Sequence, residues 1–198
     1  MRTCPLSIPA LALLAAMSAG LSLPAHAAEY SVLDTAQSSI SFTSKQMGVG
    51  VDGRFRKFNA ALNFDPAKPG SGSARIDIDL SSIDAGSPDA NDEVVGKPWF
   101  DIRNFPTASF ASTGVKALGG DRYEARGKIS IKGKSQEVVL PFTVKPSGDS
   151  AVFDGSFVIK RLDFAVGDGI WSDVSTVANE VLIKFRFTAT TSRPAVKK

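Results

Sequence analysis

Beyond residue 28 the chain alternates apolar and polar positions almost throughout. Ser39-Ile40-Ser41-Phe42-Thr43 does so, as do Ala74-Arg75-Ile76-Asp77-Ile78-Asp79-Leu80 and Lys128-Ile129-Ser130-Ile131-Lys132. The longest example lies near the C-terminus. There Val181, Ile183, Phe185 and Phe187 share one phase, and Leu182, Lys184, Arg186 and Thr188 share the other. A period of two gives strands with one apolar and one wet face, which favours antiparallel pairing over a parallel sheet buried on both sides.

Turn-forming residues cut these runs into eight predicted strands, 30–45, 50–64, 73–80, 107–117, 122–131, 135–145, 151–163 and 177–190. Residues 48–53 are expected to connect the first two. Gly119-Gly120-Asp121, Lys132-Gly133-Lys134 and residues 146–150 predict tight hairpins. Phe55 and Phe58 are out of phase with one another, which predicts a bulge in the second strand. Residues 81–106 break the rhythm. Ser87-Pro88-Asp89 and Asn91-Asp92-Glu93 are helix-start patterns, and Val94, Val95, Trp99 and Phe100 follow them. One or two short helices are expected there, with an irregular loop as the alternative.

Eight long antiparallel strands can pack as a two-sheet sandwich or close into a barrel. Closure removes the exposed edges, and eight strands enclose room for one small ligand. The chain has 13 Phe, and most lie in the inward phase. Phe42, Phe55, Phe64, Phe110, Phe142, Phe157 and Phe185 are the aromatic candidates, with Ile129 beside them. On the pattern alone these side chains either fill a sandwich core or line a lumen.

The first 27 residues have the form of an export signal. Arg2 is basic, residues 8–20 are apolar, and Ala25-His26-Ala27 offers small residues at a cleavage site. The expectation is a cleavable signal peptide over 1–27, a single domain over 28–198 and a periplasmic protein, with secretion as the alternative. The apolar stretch is short for a membrane span, so stable membrane insertion is not expected. Without Arg2 the formal net charge of +3 falls to +2. Evenly scattered charge of that size gives no reason to expect nucleic acid as a partner, and residues 192–198 read as a frayed basic tail.

The single Cys (Cys4) and the single His (His26) both lie in the leader. A domain without either has no Ser-His-Asp triad, Cys nucleophile, His-ligated zinc or disulfide, and no metal or other cofactor is expected. The richest polar stretch is 161–173, with Arg161, Asp163, Asp168 and Asp173. Its carboxylate spacing does not match a calcium loop. The expectation is that these groups cap turns and pair with Arg161; hydrolysis by the three carboxylates is the alternative. Residues 48–53 lack the Lys and helix start of a phosphate loop.

Five segments, in order, carry a family resemblance. They are residues 39–48, Gly53-Arg54-Phe55-Arg56-Lys57-Phe58, Trp99-Phe100-Asp101 with residues 105–112, residues 127–134, and Lys160-Arg161-Leu162-Asp163-Phe164. Over about 29–190 the chain resembles the YceI-like proteins, exported lipocalin-like barrels associated with polyisoprenoid binding. One position departs from the pattern, since many members have His where this chain has Gln46. An amide there keeps hydrogen bonding but carries no charge to switch.

The resemblance implies an all-β, eight-stranded antiparallel lipocalin-like barrel whose lumen is lined by Phe42, Phe55, Phe110, Ile129, Phe142, Phe157 and Phe185. Lys45, Gln46, Trp99, Arg161 and Trp171 are the candidates for its mouth. The implied function is a non-enzymatic carrier for an isoprenoid or other long-chain lipid, of polyprenyl phosphate or quinone type. Burying each CH₂-equivalent contributes roughly 0.8 kcal/mol before the cost of ordering the tail. The competing reading is a protein-interaction or stress-related module with a packed barrel interior. Either leaves room for a homodimer.

Overall fold

The computed structural model describes residues 29–192. The signal peptide expected at 1–27, and the basic tail from residue 193 on, lie outside the described residues. Ten strands form one antiparallel sheet: β1 (Tyr30–Gln46), β2 (Val49–Phe55), β3 (Phe58–Asn63), β4 (Ser73–Asp79), β5 (Ile83–Asp84), β6 (Thr107–Gly119), β7 (Arg122–Ile131), β8 (Lys134–Ser147), β9 (Ser150–Lys160) and β10 (Glu180–Thr191). Their spatial order is β3-β4-β6-β7-β8-β9-β10-β1-β2-β5. The sheet curls until its β3 edge returns to the start of β1. There the Tyr30 amide donates to the Phe64 carbonyl at 2.9 Å, and the Phe64 amide donates back at 3.0 Å.

The strand count differs from the expected eight because the second predicted strand is two and because β5 forms within residues 81–106, where no strand is expected. β2 and β3 stand at opposite ends of the sheet order, so the phase slip between Phe55 and Phe58 marks a complete corner, not a bulge. Ser82 holds that corner. Its carbonyl accepts from Arg56 N at 3.1 Å and its Oγ from Lys57 N at 2.9 Å. The two-residue β5 then adds to β2 at Arg54 and Phe55. The connection expected over 48–53 is only the turn Met47-Gly48; Gly50 and Gly53 belong to β2. β9 stops at Lys160, earlier than expected, because Arg161–Phe164 turns as a 3-10 helix.

β1 pairs with β10 along most of its length and with β2 at its C-terminal half. The register slips between Asp34 and Ser39. Asp34 Oδ1 accepts there from Ala36 N and Gln37 N, and Ser38 Oγ accepts from Thr188 N on β10. This local turn bends β1 so that one strand serves two parts of the wall.

Aromatic rings close the end of the barrel that carries the β6–β7 and β8–β9 hairpins. Phe64 is 1% exposed and meets Tyr123 and Phe153 edge-on, with centroids 5.0 and 5.4 Å apart. At the opposite end Leu80, Ile131, Phe164 and Val166 form a second buried cluster. One α-helix, α1 (Pro88–Val94), lies in the segment between β5 and β6, with Ser87 Oγ accepting from Ala90 N as its cap.

Between the two clusters, Phe rings lie against the wall. Phe42 faces Gly53, and Phe185 faces Gly155, across neighbouring strands. A Cβ on Gly155 would sit 2.5 Å from Phe185 Cζ and 2.6 Å from the Pro141 carbonyl oxygen. One on Gly127 would meet Phe110 and the Ala111 carbonyl just as closely. Each glycine gives a ring room to rest on backbone instead of projecting inward. Gly155→Val is expected to destabilise the protein by about 1–3 kcal/mol through overpacking. A lowered unfolding midpoint in urea checks this, with Gly155→Ala falling between the two.

Candidate ligand-binding lumen

The sheet encloses a cavity of about 620 Å³, within the size range of small-molecule sites. All seven lumen residues expected from sequence line it: Phe42, Phe55, Phe110, Ile129, Phe142, Phe157 and Phe185. They reach it because period-two strands send every second side chain to the concave face. Val181, Ile183 and Phe187 on β10 extend the same lining.

Of the five mouth candidates, Gln46, Trp99, Arg161 and Trp171 border the cavity and Lys45 does not. The correction follows from the same period. Ser44 and Gln46 line the cavity, so Lys45 between them takes the outer face. Its part in the mouth is made by its backbone, whose carbonyl accepts from Ala178 N at 2.9 Å.

Arg161 is 3% exposed and, contrary to expectation, makes no salt bridge to a carboxylate among the described residues. Its Nε donates to the Ala178 carbonyl at 3.1 Å. Nη1 donates to Val166 and Gly167 at 3.0 and 2.6 Å, and Nη2 to Trp171 and Val177 at 2.6 and 2.7 Å. Five N–H groups thus meet five carbonyls, and the guanidinium packs 5.7 Å from the centre of the Trp99 ring. Burial lowers the pKa of the group from its ordinary value.

The carboxylates of this stretch are dispersed. Asp168 pairs with Lys132 Nζ at 3.4 Å; that ammonium also donates to the Ala165 and Pro98 carbonyls at 2.7 and 3.3 Å. Asp173 caps a turn through Ser175 N and Oγ at 2.8 and 2.7 Å, and Asp163 is exposed. Among the described residues no group of three or more His, Cys, Asp or Glu is placed to hold a metal ion.

Sequence reasoning did not find the contribution of α1. Ser87, Asp89, Ala90 and Glu93 border the cavity, and Glu93 Oε1 accepts from Trp171 Nε1 at 2.9 Å. The capping pattern located the helix, but no local signal placed it over the barrel end. The polar part of the lining lies mostly at this end.

The described architecture matches known proteins. The model of the YceI-like domain matches residues 32–189. The chain belongs to the YceI-like family. Among curated relatives, a UPF0312 protein of Azotobacter vinelandii is 28% identical over 180 residues, covering 85% of this chain and 92% of that protein. A UPF0312 protein of Vibrio cholerae is 29% identical over 161 residues, covering 76% and 85%. Among solved structures, Burkholderia cenocepacia BcnA superposes with a TM-score of 0.78 at 47% identity, over 80% of this chain and 99% of that one. A polyisoprenoid binding domain from Saccharophagus degradans, implicated in plant cell wall breakdown, superposes with a TM-score of 0.65 over 82% of this chain and 98% of its own. At 19% identity that second likeness establishes the fold alone.

In this YceI-like chain Arg161 organises the segment between β9 and β10. Arg161→Met keeps a long apolar stem but leaves five carbonyls, those of Val166, Gly167 and Val177 in buried bonds, without their donor. A loss of more than about 3 kcal/mol in urea unfolding is expected, with Arg161→Lys intermediate because an ammonium has fewer donors.

Three carboxyls are held below the ordinary Asp range. The Ser175 hydroxyl does this for Asp173, the Ser81 hydroxyl for Asp79, and the Arg56 guanidinium for Asp84. A depressed folded-state pKa adds stability that is present above the unfolded value, about 3.9, and is lost as the pH falls through the folded value. The melting temperature is therefore expected to decline as the pH drops below about 4. Asp173→Asn should remove part of that decline in a pH series of thermal melts.

Proposed function

We propose that this YceI-like protein is an exported carrier that holds a long apolar isoprenoid lipid, of polyprenyl phosphate or quinone type, in its lumen. The observation that carries the reading is the cavity of about 620 Å³ lined by Phe, Ile and Val. An isoprenoid tail has no hydrogen-bonding group, so a wall of hydrocarbon and aromatic carbon is its complement. The Saccharophagus degradans neighbour is a polyisoprenoid binding domain, and a shared fold supports the same class of ligand here. The cavity also weighs against the packed-interior module, whose barrel would have no space to fill. Binding, not catalysis, is the proposed activity, and the leader-like residues 1–27 support a periplasmic site of action.

Native mass spectrometry of protein purified from its own periplasm tests the reading directly. A copurified lipid, or uptake of an added polyprenoid by delipidated protein, is expected. Absence of both would overturn it. Ile183→Trp adds bulk inside the lumen without a charge and should reduce uptake at least about tenfold, a blocked pocket being worth more than 1.4 kcal/mol. Val158→Trp changes a residue on the outer face, 53% exposed, and should leave uptake unchanged.

A further inference from the structure

The two sides of β8 are unlike. Towards β7 it is paired without interruption, from Arg122↔Thr143 to Ile131↔Lys134. Towards β9 the ladder covers only Phe142–Ser147 against Ser150–Gly155. β9 in turn pairs with β10 along its whole length, Ser150 to Lys160. Residues 134–141 of β8 and 156–160 of β9 are therefore two strand edges with no ladder between them. The seam runs from the middle of the wall towards the mouth, where Arg161 follows β9.

Pro141 sits where the ladder stops. A Cβ on Gly155 would lie 2.6 Å from the Pro141 carbonyl oxygen, so that carbonyl points towards β9. In an antiparallel ladder a residue's N–H and C=O serve the same neighbour, and proline has no N–H to give. Proline in a sheet belongs to an edge, and here it makes one inside the wall. Continuing the register past Phe142↔Gly155 sets Leu140 against Phe157 and Val139 against Val158. Leu140 and Phe157 border the lumen, and Phe157 packs against the cluster that contains Leu140. Val139 and Val158 lie outside, 49% and 53% exposed. The seam is thus apolar on both faces. The other incomplete join, where the β3 edge meets β1, is bonded between Tyr30 and Phe64 and filled by the buried cluster that holds both.

We infer that the β8–β9 seam is a side portal through which an apolar chain enters and leaves the lumen, with Leu140 and Phe157 as its gate. This rests on the carrier reading and adds the route to it. Parting β8 from β9 beyond Gly155 breaks no ladder pair, whereas β7–β8 and β9–β10 on either side are laddered throughout. The mouth is the tied end. There Arg161 holds five carbonyls between Val166 and Ala178, and Trp171 donates to Glu93 of α1. A slit in the wall also admits a long tail sideways, without threading it end-on past those ties.

The experiment staples the seam. Cys4→Ser removes the single cysteine of the chain. Val139→Cys and Val158→Cys, both on the outer face, are then joined by a short bismaleimide and the link is verified by intact mass. A matched staple between Thr143→Cys and Asp154→Cys, paired within the closed part of the ladder, is the control. The probe is a benzoquinone with a short isoprenoid tail, whose ring quenches the fluorescence of Trp99 and Trp171 beside the lumen. In stopped flow the seam staple is expected to slow uptake and release alike by at least about tenfold, leaving Kd within roughly twofold, because a gate alters the barrier and not its end states. The control staple should change neither rate. In the unmodified protein the amides of Val139 and Val158, which share the phase of the seam, should exchange with solvent much faster than those of Val138 and Ile159, which belong to the β7 and β10 ladders.

Rates untouched by the seam staple, or slowed equally by both staples, would overturn the portal and leave the carrier reading intact. So would a weaker Kd without slower release, or equal protection of all four amides. A probe that fails to bind even the unlinked protein would overturn both. Amide exchange is read on the wild-type chain, so the result does not depend on how well the cysteine variants fold.

Discussion

A barrel that is apolar inside and yet hollow cannot take its stability from a filled centre, and the rest of this structure follows from that constraint. The apolar contacts are displaced outward and to the ends. Rings rest on glycine backbone at Gly53, Gly127 and Gly155. The Phe64, Tyr123 and Phe153 rings close one end edge-on. The cluster around Leu80, Ile131 and Phe164 supports the other. Close packing is thereby kept in a shell around the cavity.

The mouth meets a second requirement, the ordering of the irregular segment between β9 and β10. No strand runs through residues 161–179, so their carbonyls need partners other than a sheet ladder. Arg161 answers this with a rigid fork of five donors, aimed at carbonyls from Val166 to Ala178. A carboxylate partner would have neutralised the charge but left those carbonyls unpaired. The same economy extends to Lys132, whose ammonium ties the Pro98 and Ala165 carbonyls together. These two cations therefore act as structural ties. In function the two halves of the site are consequently unlike. The wall offers area without direction, and the mouth offers few, directed polar contacts.

Much of the fold was legible because strand periodicity is local. Alternation in β10 places Val181, Ile183, Phe185 and Phe187 on one face, and the same count puts Phe42, Phe110, Ile129 and Phe157 in the lining. The failures share a cause as well. Phe55 and Phe58 give a correct phase slip, but only the strand pairing shows that the chain leaves for the other edge of the sheet. Nearness in sequence groups Lys45 with Gln46, although adjacent strand residues face opposite ways. It also pairs Arg161 with neighbouring carboxylates, because sequence displays side chains and hides carbonyls.

The sequence by itself determined the class of wall: antiparallel strands with one aromatic, aliphatic face, and the family to which they belong. A side chain's phase along a strand depends only on its neighbours in the chain, so this information is one-dimensional. The tertiary structure alone decided that the apolar face encloses about 620 Å³ of space, that α1 borders the mouth, and that Trp99 keeps an unpaired donor. Those facts depend on curvature, on glycines meeting rings from other strands, and on which backbone carbonyl reaches which cation. Each is a relation between segments far apart in sequence, fixed only when the sheet curls and brings them together.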